Sequence, residues 1–186
     1  YEQGGYATER SVELGRALAA DNQAEMVSLQ DYRKRYALYR SDKDLQQAHA
    51  NHSFICVWDD HEITNDAWTD GAENHQPNEG DYQVRKLNAL QAYYEWMPIR
   101  PQVFGKQLSG QQQSLCRSFA FGDLVDLHML DTRIEGRNLQ LEYKHYTDEK
   151  TGAFDTQRFV GDLTNANRTL LGQKQQQWLQ AQLLRS

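Results

Sequence analysis

Phe54-Ile55-Cys56-Val57-Trp58-Asp59-Asp60-His61-Glu62 passes from five apolar side chains to four ionisable ones with no spacer between them. A continuous apolar run of that length predicts a strand covered on both faces, as in a parallel or mixed sheet with helices around it. In open α/β sheets ligands collect beyond the carboxyl ends of strands, where loops carry polar groups on a rigid support. Asp59, Asp60, His61 and Glu62 stand at such a place, and Asn65 adds an amide carbonyl shortly after. Carboxylate, imidazole and carbonyl donors suit hard or borderline cations. Residue chemistry alone leaves two readings open. The acids form the solvated end of a strand, or they surround a cation that relieves their mutual repulsion.

Upstream, Val12, Leu14, Ala17 and Leu18 predict a short helix over 11–20. Ser28 has the chemistry of an N-cap, and a second helix follows it with Tyr32, Tyr36 and Tyr39 on one buried face. Asp44 to Ala50 predicts another short helix. Downstream, Asn65 to Asp81 carries Gly71, Pro77 and Gly80 among Asn and Asp residues and predicts a long surface loop. A helix is expected over 82–96 from Val84, Leu87, Leu90, Ala92 and Tyr94, with Pro98 closing it. Leu115 to Phe121 and Leu124 to Leu130, separated by Gly122-Asp123, predict a hairpin. Gly136 to Thr169 has no sustained period and is expected to be a long loop or an insertion. Trp178, Leu179, Leu183 and Leu184 predict a last helix over 173–184.

A chain of 186 residues is long enough to bury one sizeable core, and its 10 Tyr and 4 Trp exclude a disordered segment. A net charge of -6 supplies no basic field to collect phosphate backbones, which excludes a general nucleic-acid or anionic-membrane binder. A phosphorylated small molecule would need local help from a metal or an arginine. Cys56 and Cys116 are too few and too far apart for a zinc finger or a disulfide framework. There is no apolar run of about 18 residues that would span a bilayer. The chain opens on Tyr1 rather than Met, which leaves room for an upstream segment.

Val57-Trp58-Asp59-Asp60-His61-Glu62-Ile63-Thr64-Asn65-Asp66-Ala67-Trp68 resembles the Trp-Asp-Asp-His-Glu block of the alkaline phosphatase D-like (PhoD-like) family, in the calcineurin-like metallophosphoesterase superfamily. Gly71-Ala72-Glu73-Asn74-His75, Ala92 to Arg100, Leu130-Asp131-Thr132-Arg133, Leu170 to Gln173 and Gln177-Trp178-Leu179 look like further blocks in the same order. The resemblance spans nearly the whole chain. It implies an α/β fold, part of a sandwich of mixed sheets flanked by helices, with residues 1–186 forming the central part of the domain, truncated at both ends.

The resemblance also implies chemistry, namely metal-dependent hydrolysis of phosphate mono- or diesters. Asp60 stands where the superfamily has a metal-binding Asn, and His61 matches the histidine placed near the scissile ester. Asn65 is a further metal candidate. Asp59 and Glu62 are expected to orient the turn or to hydrogen-bond to the ligands. Arg100 and Arg133 each end a block and are candidates for clamping phosphoryl oxygens. The cofactors implied are Fe3+ and Ca2+, the substrate a small phosphoester, and the location periplasmic or secreted. Tyr1 to Tyr6 looks like sequence just after the family's metal-bridging aspartate, so this chain is expected to hold an incomplete centre. The alternative is a noncatalytic scaffold or a weak calcium-binding module, and a nuclease of the same mechanism is disfavoured by the acidic charge.

Overall fold

The structure, a computed structural model, describes residues 10–99 and 115–185. Within them the chain is mixed α/β, with five α-helices and one two-stranded antiparallel sheet. It divides into two compact units, Tyr1–Ala67 with Gly71–Gln113, and Trp68–Asp70 with Ser114–Ser186. Arg100 and the Tyr1 to Tyr6 stretch lie outside the described residues.

The first unit is built on three helices whose starts are set by side-chain caps. Helix α1, Leu29–Arg40, begins with a reciprocal pair: Asp31 N–H donates to Ser28 Oγ at 3.3 Å and Ser28 N–H to the Asp31 carboxylate at 2.9 Å. Helix α2, Lys43–Asn51, starts where the Asp42 carboxylate accepts from Leu45 N–H at 2.9 Å. Helix α3, Tyr82–Trp96, is capped by Asp81, and its chain turns extended at Met97 ahead of Pro98. Helices α1 and α3 pack together. Tyr36 stacks on Trp96 with ring planes 7° apart, Arg33 grips Glu95 through two bonds at 2.7 and 2.5 Å, and Arg40 donates to Trp96 O at 2.6 Å.

Four expectations are corrected in this unit. Residues 54–58 belong to no described strand, and Phe54, Ile55 and Val57 are 36%, 39% and 41% exposed; only Trp58 is buried. A strand is completed by hydrogen bonds from a neighbour, and among the described residues the ladder joins only the later hairpin. Residues 11–15 form a turn and 16–19 no regular structure, instead of a helix, because Gly15 takes a left-handed φ of 68° and Arg16 N–H closes back on Ser11 O at 2.7 Å. The tyrosine stripe is buried only at Tyr32, while Tyr39 is exposed. On α3 Leu90 and Ala92 are buried as expected, but the apolar Val84 and Leu87 face solvent, and the inner face also carries Tyr82, Arg85, Lys86, Ala89 and Tyr93. Long cationic side chains can lie inward when their heads find partners, so hydrophobicity alone misplaced the N-terminal part of this face.

In the second unit, β1, Arg117–Phe121, pairs with β2, Val125–Met129, in a register running from Arg117↔Met129 to Phe121↔Val125. The hairpin agrees with the sequence reading. Between Gly136 and Thr169, where no period was legible, there is a 3-10 turn at Tyr143–Tyr146 and a helix α4, Thr156–Leu163, capped by Asp155. Tyr143, Tyr146, Phe154 and Phe159 hold this segment together with ring centroids 5.2 to 5.7 Å apart at their closest. The last helix, α5, spans Gly172–Leu183. Its start is locked by a close backbone approach: a Cβ on Gly136 would lie 2.4 Å from Gly172 Cα.

Candidate functional site

The acidic residues after Trp58 form a compact turn in the first unit. Trp58 anchors its entrance, buried with its ring 5.6 Å from that of Tyr93 on α3. Asp60 O accepts from Ile63 N–H at 2.8 Å and Thr64 N–H at 2.9 Å, so the chain makes a single helical turn there. The Glu62 carboxylate closes the turn by accepting from Asp59 N–H at 2.8 Å. Burial pushes the Glu62 carboxyl above its usual range, against the hydrogen bond from Asp59 that favours the anion. The Asp59 residue itself is exposed.

Asp60 is buried, and its Oδ2 accepts from Asp66 N–H at 2.6 Å. That bond depends on Asp66 adopting a left-handed φ of 50°, the one positive φ among described residues other than glycine. His61 Nε2 lies 3.2 Å from Asn65 Oδ1 and 3.9 Å from Asp60 Oδ2, the latter beyond hydrogen-bond reach. The orientation of the Asn65 amide follows from its other end. Asn65 Nδ2 donates to Glu73 Oε2 at 2.6 Å, and a carboxylate can only accept, so Oδ1 faces His61. His61 Nε2 is therefore the atom that carries hydrogen in this network, as the donors and acceptors require.

The turn thus gathers Asp60, His61 and Asn65 into one cluster, with Glu62 closing it from behind. Arg133 is in the other unit, where its N–H donates to Asp131 Oδ1 at 2.9 Å, and Arg100 lies outside the described residues. Among the described residues no three His, Cys, Asp or Glu side chains converge as a cation cage. The donor set still suits an oxygen-preferring ion, since Asp60 offers a carboxylate and Asn65 a carbonyl within the same turn. Asp60 and Asn65 would hold such an ion as part of a larger coordination sphere.

Sequence reasoning missed the residues that support this cluster. Residues 65–81 are no simple surface loop: Ala67, Gly71 and Ala72 are buried. Glu73 N–H donates to Asn65 O at 3.1 Å, and Thr64 Oγ1 donates to Asn74 O at 3.0 Å, so this segment clasps the turn. The only signal in the sequence was Gly71-Ala72-Glu73-Asn74-His75, quoted above for its resemblance. In the second unit, Gln175 was also missed; its buried amide binds Asp131 through both N–H and C=O and accepts from Cys116. No helix among the described residues is long and apolar enough to cross a membrane.

Comparison with known proteins gives two findings. The family model described as PhoD-like phosphatase matches residues 1–186. Alkaline phosphatase D of Bacillus subtilis strain 168 is 38% identical over 158 residues, which cover 85% of this chain and 24% of that protein. The chain therefore spans about a quarter of the length of the curated relative it matches. No solved structure matches it.

Proposed function

This chain belongs to the PhoD-like phosphatase family, and on that premise we propose that it contributes part of the active centre of a metal-dependent phosphoesterase acting on small phosphate mono- or diesters. The observation that carries this reading is the turn that brings the Asp60 carboxylate within 3.9 Å of the His61 imidazole, which hydrogen-bonds in turn to the Asn65 carbonyl. The alkaline phosphatase D similarity supports phosphatase chemistry in general. Bound metal ions, Fe3+ and Ca2+ by family resemblance, would supply neutralisation of phosphoryl charge and activation of water. The remaining ligands would come from elsewhere in the complete protein. An exported location, periplasmic or secreted, is part of the same proposal.

In this reading the residues of the chain divide the work. Asp60 and Asn65 present oxygen donors, with Asp66 N–H and Glu73 fixing their directions. The His61 Nε2–H, oriented by Asn65 Oδ1, is the donor that would hydrogen-bond to the leaving oxygen as negative charge builds there. Glu62 and the Asp59 N–H keep the turn closed so that the imidazole does not swing away. Arg100 and Arg133 remain candidates for binding phosphoryl oxygens.

The test is His61→Ala in the complete protein, with nitrophenyl phosphate, its diester and single-stranded DNA as substrates. Loss of about 10²- to 10⁴-fold in turnover with unchanged metal content is expected. Unchanged turnover with normal metal content would remove His61 from the mechanism. The second reading, a noncatalytic scaffold or weak calcium-binding module, is favoured by the lack of a three-ligand cluster among the described residues. It predicts calcium binding without turnover even in the complete protein.

A further inference from the structure

Arg85 on α3 is fully buried, a costly place for a permanent cation unless its donors all find acceptors. Each of its three nitrogens has at least one, and the destinations are unusual. Nε donates to Tyr32 Oη at 3.3 Å, and that hydroxyl donates onward to Ile63 O at 2.8 Å. Nη1 donates to Asn74 O at 2.8 Å, the same carbonyl that accepts from Thr64 Oγ1 at 3.0 Å. Nη1 also lies 3.4 Å from His75 Nδ1 and 3.4 Å from Glu79 Oε2, and Nη2 lies 3.4 Å from Glu25 Oε2. The Glu25 and Glu79 carboxylates lie against the charge, while one arm reaches Ile63 O in the turn through Tyr32 and the other reaches Asn74 O in the segment that clasps it.

We propose that Arg85 is a positioning residue for His61, acting through two arms that fix the Asp59–Asp66 turn and the segment clasping it. One arm runs from Arg85 through Tyr32 to the backbone carbonyl of Ile63, inside the turn. The other runs from Arg85 to Asn74, beside Glu73, which orients the Asn65 amide that in turn accepts from His61 Nε2. A guanidinium is suited to this because its planar fork sets the direction of several bonds at once, whereas an ammonium sets none. Arg85 touches neither Asp60 nor His61 in any described bond, so its influence is geometric. It deepens the phosphoesterase reading for its kinetic consequence only; the structural claim stands without turnover.

The experiment follows the His61 ring by 15N-histidine spectra of the unmodified chain, Tyr32→Phe and Arg85→Lys at one fixed pH. Tyr32→Phe removes a single hydroxyl and keeps the ring, so it remains decisive if Arg85→Lys fails to fold. The expected result is that the His61 ring signals move in each folded variant while those of His128, in the β1–β2 hairpin, stay in place. Superimposable His61 signals in Tyr32→Phe would overturn the proposal, as would equal displacement of His61 and His128. In the complete protein, Tyr32→Phe is expected to lower kcat by about tenfold with KM nearly unchanged, since small misplacements of a catalytic group act on the transition state. A rise in KM at constant kcat would also overturn it. Absence of turnover in the unmodified complete protein would instead refute the functional reading and leave the spectra to decide the structural one.

Discussion

A single amide shows how much one buried side chain can organise. Gln175 Oε1 accepts from Asp131 N–H and from Cys116 Sγ, each at 2.7 Å, while Nε2 donates to Asp131 O at 2.6 Å and Leu171 O at 3.0 Å. All of its hydrogen-bonding capacity is used, in a place with almost no water access. Gln175→Leu keeps the volume but strips the Asp131 backbone of this partner at both N–H and C=O, and should cost about 3 kcal/mol by denaturant unfolding. A loss under about 0.5 kcal/mol would mean that the network relaxes onto other partners. In a run of glutamines, Gln173 to Gln182, nothing but position in the folded helix distinguishes the one that turns inward. The same holds for Arg85, whose partners Glu25, Tyr32 and residues 74–79 are brought together only by the fold. Asp60 and His61 stand out in the sequence because their type and order are themselves the signal, and their roles rest on the proposal above.

At the scale of elements, what could be read was what is local. The capped start of α1 at Ser28, the end of α3 before Pro98 and the β1–β2 hairpin depend on a few neighbouring residues and were all foreseen. Caps also carry a pH signature. The amide of Leu45, and then the Arg16 guanidinium, hold the Asp42 carboxyl below its usual range. A carboxyl lowered in the folded state adds stability above its ordinary pKa of 3.8, and that stability is lost as pH falls through the lower folded value. Asp42→Asn should therefore flatten the loss of α2 amide-exchange protection on acidification below 3.8, with the difference from the parent vanishing at the acid extreme. Identical acid profiles in the two proteins would contradict the cap's contribution. The approach of Gly136 to Gly172 makes a second prediction. With Cβ placed 2.4 Å from a backbone atom, Gly136→Ala must displace the start of α5, at a cost of at least about 2 kcal/mol in unfolding free energy. Full stability in that variant would show that the backbone yields cheaply. Residues 54–58 mark the limit of local reading: the apolar run was plain, but whether it joins a ladder depends on a partner strand.

For the molecule as a whole, the two units hold different parts of the sequence signal, and only the first contains the acidic turn. Asp60 and Asn65 alone make a poor cage, since an oxygen-preferring ion takes six or more ligands and a two-metal centre draws them from several loops. The 186-residue chain is accordingly expected to bind Ca2+ with a Kd on the order of millimolar and to show no turnover, while the complete protein gains both tight metal and hydrolysis. Calorimetric titration of each, with and without Asp60→Asn, checks this; tight binding by the chain that survives Asp60→Asn would place the ion elsewhere. By itself the sequence determined the mixed α/β class, the family, the Ser28 cap and the hairpin. Each of these rests on short-range chemistry or on residues kept in a recognisable order. Only the tertiary structure decided that Asn65 faces His61, that Glu73 and Asn74 clasp the turn, and that a buried arginine stands behind both. The Arg85 contacts reach residues up to 60 positions away, and even His61 and Asn65, four apart, meet only because the turn between them folds; a hydrogen bond is specified by where two groups meet in space, which residue type alone does not encode.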